Sequence, residues 1–330
     1  MRWYRHKLAI ALGVAVAGVL ALEGVVLHQN WSAPTRPAPT ATRPAARPEP
    51  RQLRSPFTGR PVRSLGPVLA VNVDNVPAAR PQTGLGQADI VYVLPVEGGL
   101  SRFLAVYSSH LPPVVGPVRS ARQEDLPLLR QFGRPAFAYS GAQPQLEPVI
   151  TQAPLVSLEA GVVGGYHRRH SRPAPSNLYA HPSQLLAEAH GESTARDIGF
   201  RFGPAPAGGT AAAAWTVSYP AASFTFRWSA GRWRVWMAGH PARDTGGGQL
   251  TAATVIIQHT RVTRSPFAEL GGPAPVAHST GAGRDVVLRD GRAWTGRWAR
   301  PRRRAGTTFT TSTGQRMTFA PGPVWVVLAH

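Results

Sequence analysis

The chain contains no cysteine at any of its 330 positions. This absence excludes disulfide bonds, thiolate nucleophiles, zinc sites built on thiolates and the attachment of lipid through an N-terminal cysteine. Export across a membrane is compatible with such a chain but is not required by it. Apolar residues make up 43% of the sequence, so substantial cores can form. The length corresponds to about two domains of roughly 150 residues each.

Lysine and acidic residues are also scarce. Lys7 is the only lysine, and 36 basic residues against 16 acidic ones give a formal net charge of +20. Arginine binds phosphates and carboxylates through paired hydrogen bonds. The excess therefore points to nucleic acid, anionic membrane or wall polymers, or a phosphorylated ligand, with compositional drift as the alternative. The aromatic residues are not interleaved with basic ones, so we expect no nucleic-acid partner.

Several signatures of catalysis and metal binding are missing. The sequence has no Gly-x-Ser-x-Gly elbow and no phosphate-binding loop with a lysine. His167, His170 and His181 lie close together in sequence, but no zinc-protease signature accompanies them. We expect neither a metal nor a cofactor, and the sequence leaves open whether the protein is an enzyme.

One long apolar stretch stands near the N-terminus. Residues 8–22 are uninterrupted, Glu23 breaks the run and residues 24–27 resume it, behind a basic cluster. About twenty apolar residues can span a bilayer as a helix. The positive-inside rule places the N-terminus in the cytoplasm and the remainder outside. We expect residues 8–27 to anchor the protein in the cell membrane by a single N-terminal pass, with the body in the periplasm or at the cell surface. A cleaved secretory signal is the alternative.

The next segment is rich in proline, alanine, threonine and arginine. Such a composition cannot bury a core and predicts an extended spacer. The predicted organisation is an anchor or signal segment (1–30), a linker (31–54), an α/β domain (55–203), a short linker (204–214) and a β-rich domain (215–330).

The first globular half alternates apolar runs with turn and helix signals. Residues 68–73, 90–94 and 102–107 predict buried strands, and the short gap between the last two predicts a hairpin. A further strand is expected at 136–139. Helices are expected after residue 122 to residue 129, near 145–151 and near 183–190. This alternation predicts an α/β domain with a mixed sheet.

Polar residues follow the ends of several predicted strands. In open α/β sheets, ligands bind beyond the carboxyl ends of the strands. Parallel neighbouring strands would bring these side chains into one crevice, which Glu97 and Arg102 join only if the hairpin folds to the same side. The residues at the strand ends are Asp74, Asn75, Arg119, Arg122 and Ser140.

Six short blocks in this half carry a resemblance to a known family. They are SPFTGRP at 55–61, ARPQTGL at 79–85, ADIVY at 88–92, VEGG at 96–99 with SRFL at 101–104, GPVRSAR at 116–122 and APSNLY at 174–179. In order and content they are similar to the blocks of the YerB-like family, which is catalogued as domain of unknown function 3048 with N-terminal and C-terminal modules. The resemblance extends over most of residues 55–330.

Two departures from the family pattern bear on what the resemblance implies. Family members are often lipid-anchored through a cysteine, which an apolar segment would replace here. The family block usually reads Pro-His-Asn where Ser176 stands in this chain, so no histidine role carries over to that position. The resemblance implies an extracytoplasmic envelope protein and brings no established activity with it.

The matched blocks contain a cluster of arginines and acids. Arg119 and Arg122 lie three residues apart at a predicted helix start, where they share a face near free backbone N–H groups. This arrangement favours an anion, so we expect a phosphate or pyrophosphate site. The alternative is a structural network of ion pairs that ties loops together. The candidate residues are Asp74, Asn75, Arg80, Glu97, Arg102, Arg119, Arg122, Arg169, Arg172, Asn177 and Tyr179.

The second half has the pattern of a β module. Several short strands follow one another from residue 215, and Asp290-Gly291 predicts a tight hairpin turn. Its tryptophans can fill a β core or line a glycan groove, and we expect them in the core. The predicted fold class is α+β, mixed: an N-terminal α/β domain with a mixed sheet, followed by a mostly β C-terminal domain.

Together these features predict a membrane-anchored extracytoplasmic cell-envelope protein. We expect it to bind a phosphate-bearing or acidic envelope ligand, either an anionic polymer or a lipid-linked precursor, through the arginine/acid cluster of the first domain. The alternative is an envelope enzyme acting on a phosphorylated or lipid-linked glycan precursor.

Overall fold

The computed structural model of the protein describes residues 52–269 and 272–330. The strands of the first half are β1 (Leu69–Asp74), β2 (Ile90–Pro95), β3 (Ser101–Tyr107), β4 (Ala136–Tyr139), β5 (Val156–Glu159), β6 (Tyr166–Arg168) and β7 (Leu178–Ala180). Those of the second half are β8 (Thr210–Ala211), β9 (Ala214–Tyr219), β10 (Ala222–Ser229), β11 (Arg232–Met237), β12 (His240–Pro241), β13 (Thr251–Ala252), β14 (Thr254–His259), β15 (Val262–Glu269), β16 (Gly272–Ala277), β17 (Gly281–Arg289), β18 (Arg292–Arg300), β19 (Thr308–Thr311) and β20 (Val324–Ala329).

Helices are short in the described part of the chain. The α-helices are α1 (Asp125–Leu129), α2 (Glu147–Gln152) and α3 (Pro182–Glu188). They have five, six and seven residues, which is too little to cover a sheet with helical layers as in an α/β domain. Further 3-10 turns lie at Pro77–Ala79, Leu85–Gln87, Glu97–Gly99 and Arg130–Phe132.

The predicted α+β fold class is wrong, because the protein is mostly β and one sheet runs through both halves. This eleven-stranded sheet has the order β19-β18-β17-β14-β20-β2-β3-β1-β4-β5, with β8 beside β18. Six strands of the second half therefore share a sheet with strands of the first half. β20 pairs in parallel with β14 on one side and with β2 on the other. The strands that we assigned to an N-terminal α/β domain, β1 to β5, belong to the same sheet as strands of the second half.

Two apolar segments explain this arrangement. β14 is buried over its first five residues and β20 over all six. Strands that are buried on both faces read as nearly continuous apolar runs and sit in the interior of parallel or mixed sheets. Since a sandwich or barrel strand would alternate with exposed residues, these runs were better suited to a sheet centre than to a separate β module.

Other local predictions are confirmed. β2 and β3 form the expected antiparallel hairpin, in which Ile90 lies opposite Val106. β17 and β18 form the second hairpin, and Asp290 and Gly291 both have positive φ, at 49° and 69°. This is the geometry of the two-residue turn that Asp-Gly favours.

A second sheet packs on one face of the large sheet. It has the order β12-β11-β10-β9, with β13 beside β11. Its inward side chains share a core with the large sheet. The ring centroid of Phe103 in the large sheet lies 5.9 Å from that of Phe224 in β10 and 5.6 Å from that of Trp325 in β20. Trp233, Trp298 and Trp325 are among the largest fully buried side chains, which confirms the expected core role of these tryptophans.

The opposite face of the large sheet carries a second apolar core. Phe132, next to α1, packs edge-on against Phe57 and Tyr92, and Ile150 of α2 joins the same cluster. The helices α1 and α2 and loops of the first half cover this face, whereas Leu185 of α3 belongs to the core on the other side. The large sheet is thus buried on both sides, by the second sheet and α3 on one and by α1, α2 and loops on the other.

The predicted anchor at residues 8–27, the segment 1–30 and nearly all of the linker 31–54 lie outside the described residues. Within the described ranges, none of the helices combines the length and apolarity needed to cross a membrane.

Candidate functional site

The carboxyl ends of six strands meet at one edge of the large sheet. β14, β20 and β2 are successive parallel neighbours, as are β1, β4 and β5. β3 is antiparallel to both β2 and β1, so the two groups point the same way. We call this the carboxyl edge. The expected convergence of polar strand ends is confirmed there, and the hairpin of β2 and β3 places Glu97 and Arg102 on the same side.

Asp74 and Arg119 form the first ionic contact of the carboxyl edge. Arg119 Nε lies 3.3 Å from Asp74 Oδ2, and the Ser176 hydroxyl donates to the same oxygen at 2.8 Å. Asp74 is buried, whereas the Arg119 side chain is 25% exposed. The backbone N–H of Arg119 donates to the carbonyl of Asn72, which holds the arginine beside the end of β1. The guanidinium is therefore held at its buried Nε, and the side chain as a whole is partly exposed.

Glu97 and Arg122 form a closed ion pair. Arg122 Nε donates to Glu97 Oε1 at 2.8 Å, and Nη2 donates to Oε2 at 3.3 Å. The two side chains are only 9% and 11% exposed. The Arg122 backbone N–H also donates to Asp125 Oδ2 at 2.7 Å, at the start of α1. A two-point pair of this kind is directional and poorly screened by salt, and it ties the turn after β2 to α1.

Arg102 is buried between these two pairs. It lies opposite Asp74 in the pairing of β3 with β1, and its Nη1 donates to the carbonyl of Ser120 at 2.8 Å. Burial, and next the neighbouring charge of Arg122, lowers the pKa of Arg102 to about 10. The guanidinium still carries its charge at neutral pH.

Asn75 and Arg80 belong to a neighbouring polar cluster. Arg80 Nε donates to Asn75 Oδ1 at 3.1 Å, and the Asn75 amide donates to the Ser101 hydroxyl at 2.8 Å. Gln82 donates both to Asn75 Oδ1 and to the Asp74 carbonyl. Burial lowers the pKa of Arg80, and the charge of Asp74 opposes this shift. These hydrogen bonds position the end of β1.

The remaining candidates lie on the segment around β6 and β7. The Arg169 guanidinium stacks 4.0 Å from the centre of the Tyr179 ring. Asn177 Oδ1 accepts a hydrogen bond of 2.7 Å from Arg168 Nη1. Arg172 donates to the carbonyl of Pro81 at 2.7 Å. Asn177 thus lies next in sequence to Ser176, which donates to Asp74. Arg172 instead links its own loop to the loop that contains Pro81.

Three residues of this edge were missed by sequence reasoning. Asn72 donates to Asp125 Oδ2 at 2.6 Å from inside β1. Glu124 is 1% exposed, and among the described residues neither of its carboxyl oxygens has a hydrogen-bond partner. Burial, followed by the charge of Asp125, raises the pKa of Glu124 well above 4.5, which favours its neutral form. Two sequence signals could have identified these residues: Asn72 is a polar residue within an apolar strand, and Glu124 and Asp125 form an acidic pair at a helix start.

A cavity of ≈ 440 Å³ opens beyond the ends of β4 and β5. Its wall includes Ser140, Gly141, His167 and Arg168. The Ser140 backbone N–H donates to the Arg119 carbonyl at 3.0 Å, so the cavity adjoins the segment that carries Arg119. Arg168 is the one arginine among the described residues that line the cavity.

Comparisons with known proteins agree with the sequence resemblance. The family model described as "Protein of unknown function (DUF3048) N-terminal domain" matches residues 57–195. The family model of the DUF3048 C-terminal domain matches residues 213–326. A Bacillus subtilis (strain 168) protein named "Putative lipoprotein YerB" is 44% identical over 98 residues, which cover 28% of this chain and 29% of that protein.

A solved structure shares the fold. The crystal structure of the YerB protein from Bacillus subtilis matches with a TM-score of 0.71 and 21% identity, over 84% of this chain and 96% of that one. At this identity the likeness establishes the fold alone.

Proposed function

The chain belongs to the DUF3048 family of proteins of unknown function, and we propose that it binds a phosphate-bearing or acidic ligand of the cell envelope at the carboxyl edge. The observation that carries this proposal is the state of Arg119. Of the three arginines at the centre of the edge, Arg102 and Arg122 are buried, whereas Arg119 is 25% exposed and makes a single ionic contact.

The surroundings of Arg119 suit an anion. Arg168 lies on the wall of the adjoining cavity, and Ser140 contributes a hydroxyl there. Burial and the charge of Asp125 raise the pKa of Glu124, which disfavours the carboxylate form beside the arginines. Arg102, behind the surface, donates to the carbonyl of Ser120 and adds positive potential. Phosphate and carboxylate groups are the ligands that guanidinium groups bind best.

The binding proposal is tested by calorimetric titration with inorganic pyrophosphate. We expect Arg119→Gln and Arg168→Gln each to weaken binding about tenfold or more, because a charge-assisted hydrogen bond contributes about 1.5–3 kcal/mol. Arg284→Gln is the matched control, since Arg284 is an exposed arginine of β17, and it should change affinity less than about twofold.

Two outcomes of this titration would count against a simple binding module. Wild-type protein that does not bind pyrophosphate, or three variants that bind it equally, would contradict the proposed site. Turnover of a phosphorylated glycan precursor, lost on Arg119→Gln, would favour the enzyme alternative.

The proposal includes a location outside the cytoplasm, with residues 8–27 as the membrane anchor. It is supported by the basic cluster ahead of this apolar stretch and by the lipoprotein description in the name of the Bacillus relative. We expect alkaline phosphatase fused after His330 to be active in cells and inactive once residues 1–30 are deleted. A fusion that is inactive with the full chain would contradict this location.

A further inference from the structure

A second basic cleft lies beside α1 and α2 and shares no lining residue with the cavity at the carboxyl edge. Its volume is ≈ 590 Å³. Four arginines line it: Arg130, at the end of α1, and the consecutive Arg302, Arg303 and Arg304. Its floor is apolar and includes Leu126, Pro127, Ala153 and Pro154. We call this the arginine cleft.

The segment with the three consecutive arginines is held in place by Arg300. This side chain is 0% exposed, and its Nη2 donates to the carbonyls of Pro127 and Arg303, both at 2.6 Å. Its Nε donates to the carbonyl of Ala305 at 3.0 Å. One buried guanidinium therefore fastens the segment to α1. The cleft is a fixed feature of the fold, because its rim is bonded to its floor.

The arginine cleft lacks compensating acid. None of its four arginines forms an ion pair with an acidic residue of the described chain. Burial, followed by the charges of Arg304 and Arg303, lowers the pKa of Arg130. Folding thus brings like charges together at a cost, and a bound anion would remove that cost.

We infer that the arginine cleft binds a flexible polyanion that carries several phosphate groups. The four cations come from two different elements, and the cleft of ≈ 590 Å³ is larger than one phosphate group needs. They can each meet a different phosphate of a chain. The apolar floor accommodates the uncharged links between the phosphates. A flat bilayer surface fits less well, since the four arginines line a cavity and not a flat face.

The test uses long-chain inorganic polyphosphate and the full chain. We expect Arg303→Gln/Arg304→Gln to lower the affinity about 10- to 30-fold at about 50 mM salt, given about tenfold for every 1.4 kcal/mol and near-surface charges worth about 1 kcal/mol each. Arg303→Lys/Arg304→Lys should keep most of the affinity. The binding of the wild type should weaken steeply toward about 200 mM salt, as counterion release requires.

The matched control removes two charges elsewhere. Arg284 and Arg297 are exposed and lie opposite each other on β17 and β18, and Arg284→Gln/Arg297→Gln should change polyphosphate affinity less than about threefold. Equal losses in the two double variants would overturn the inference. So would Arg303- and Arg304-dependent binding to phosphatidylglycerol vesicles without binding to polyphosphate. Pyrophosphate binding at the carboxyl edge should be unaffected by Arg303→Gln/Arg304→Gln, so the two proposed sites fail independently.

Discussion

Arg122→Ala is expected to lower the free energy of unfolding by about 3–5 kcal/mol, because it leaves a nearly buried carboxylate without its cation. Arg122 binds both oxygens of Glu97, whose side chain is only 11% exposed. The unfolded chain hydrates this carboxylate freely, whereas the folded variant would hold it beside apolar neighbours. Urea denaturation followed by far-UV circular dichroism measures the loss.

Two further variants separate the ion pair from general damage. Arg119→Ala should cost less than about 1 kcal/mol, since Arg119 is partly exposed and has one long ionic contact. Adding Glu97→Gln to Arg122→Ala should recover part of the stability, because the unpaired charge disappears. If Arg122→Ala unfolds like Arg119→Ala, the closed pair does not stabilise the fold. The alternative of a structural ion-pair network, which the sequence left open, would then not hold for Arg122.

Arg300→Ala should lower the free energy of unfolding by a similar amount, about 3–5 kcal/mol, through a different mechanism. The guanidinium donates to the carbonyls of Pro127, Arg303 and Ala305 and to the Ser279 hydroxyl. Burial lowers its pKa to about 10, so it stays charged at neutral pH while it is bonded only to neutral groups. Truncation would strand several buried acceptors and leave a cavity, each of which costs about 1–3 kcal/mol.

Arg302→Ala provides the control for Arg300→Ala. Arg302 is exposed and lies in the segment that Arg300 fastens, so its removal should change stability by about 0.5 kcal/mol or less. Thermal and urea unfolding of both variants decide the matter. Equal midpoints for the two variants would mean that the buried guanidinium is not an anchor.

Local features of this chain were readable from its sequence, and distant pairings were not. The hairpin of β2 and β3 follows from two apolar runs and a short turn, which are neighbours along the chain. The insertion of β20 between β14 and β2 depends on residues far apart in sequence, such as Ile90 and Val324. No periodicity within either segment specifies its partner, because a fully buried strand shows the same apolar run beside any neighbour.

The candidate site was anticipated in its composition and not in its electrostatics. Positions after predicted strands indicated that these acids and arginines converge, and did not specify that Asp74 pairs with Arg119 and Glu97 with Arg122. The sequence could not show that the Arg122 side chain is buried while the Arg119 side chain is partly exposed. Exposure depends on which residues pack over the carboxyl edge. Glu124 was missed for the same reason: an acid at a helix start normally faces solvent, and only the packed structure buries it.

The placement of β20 has a consequence for how the protein can be divided. The two family models match separate stretches, yet β2 of the first borders β20 of the second. A fragment limited to either stretch would leave a long apolar strand edge without its hydrogen-bonding neighbour, and such edges recruit other chains into aggregates. Fragments for biochemical work should therefore retain both stretches.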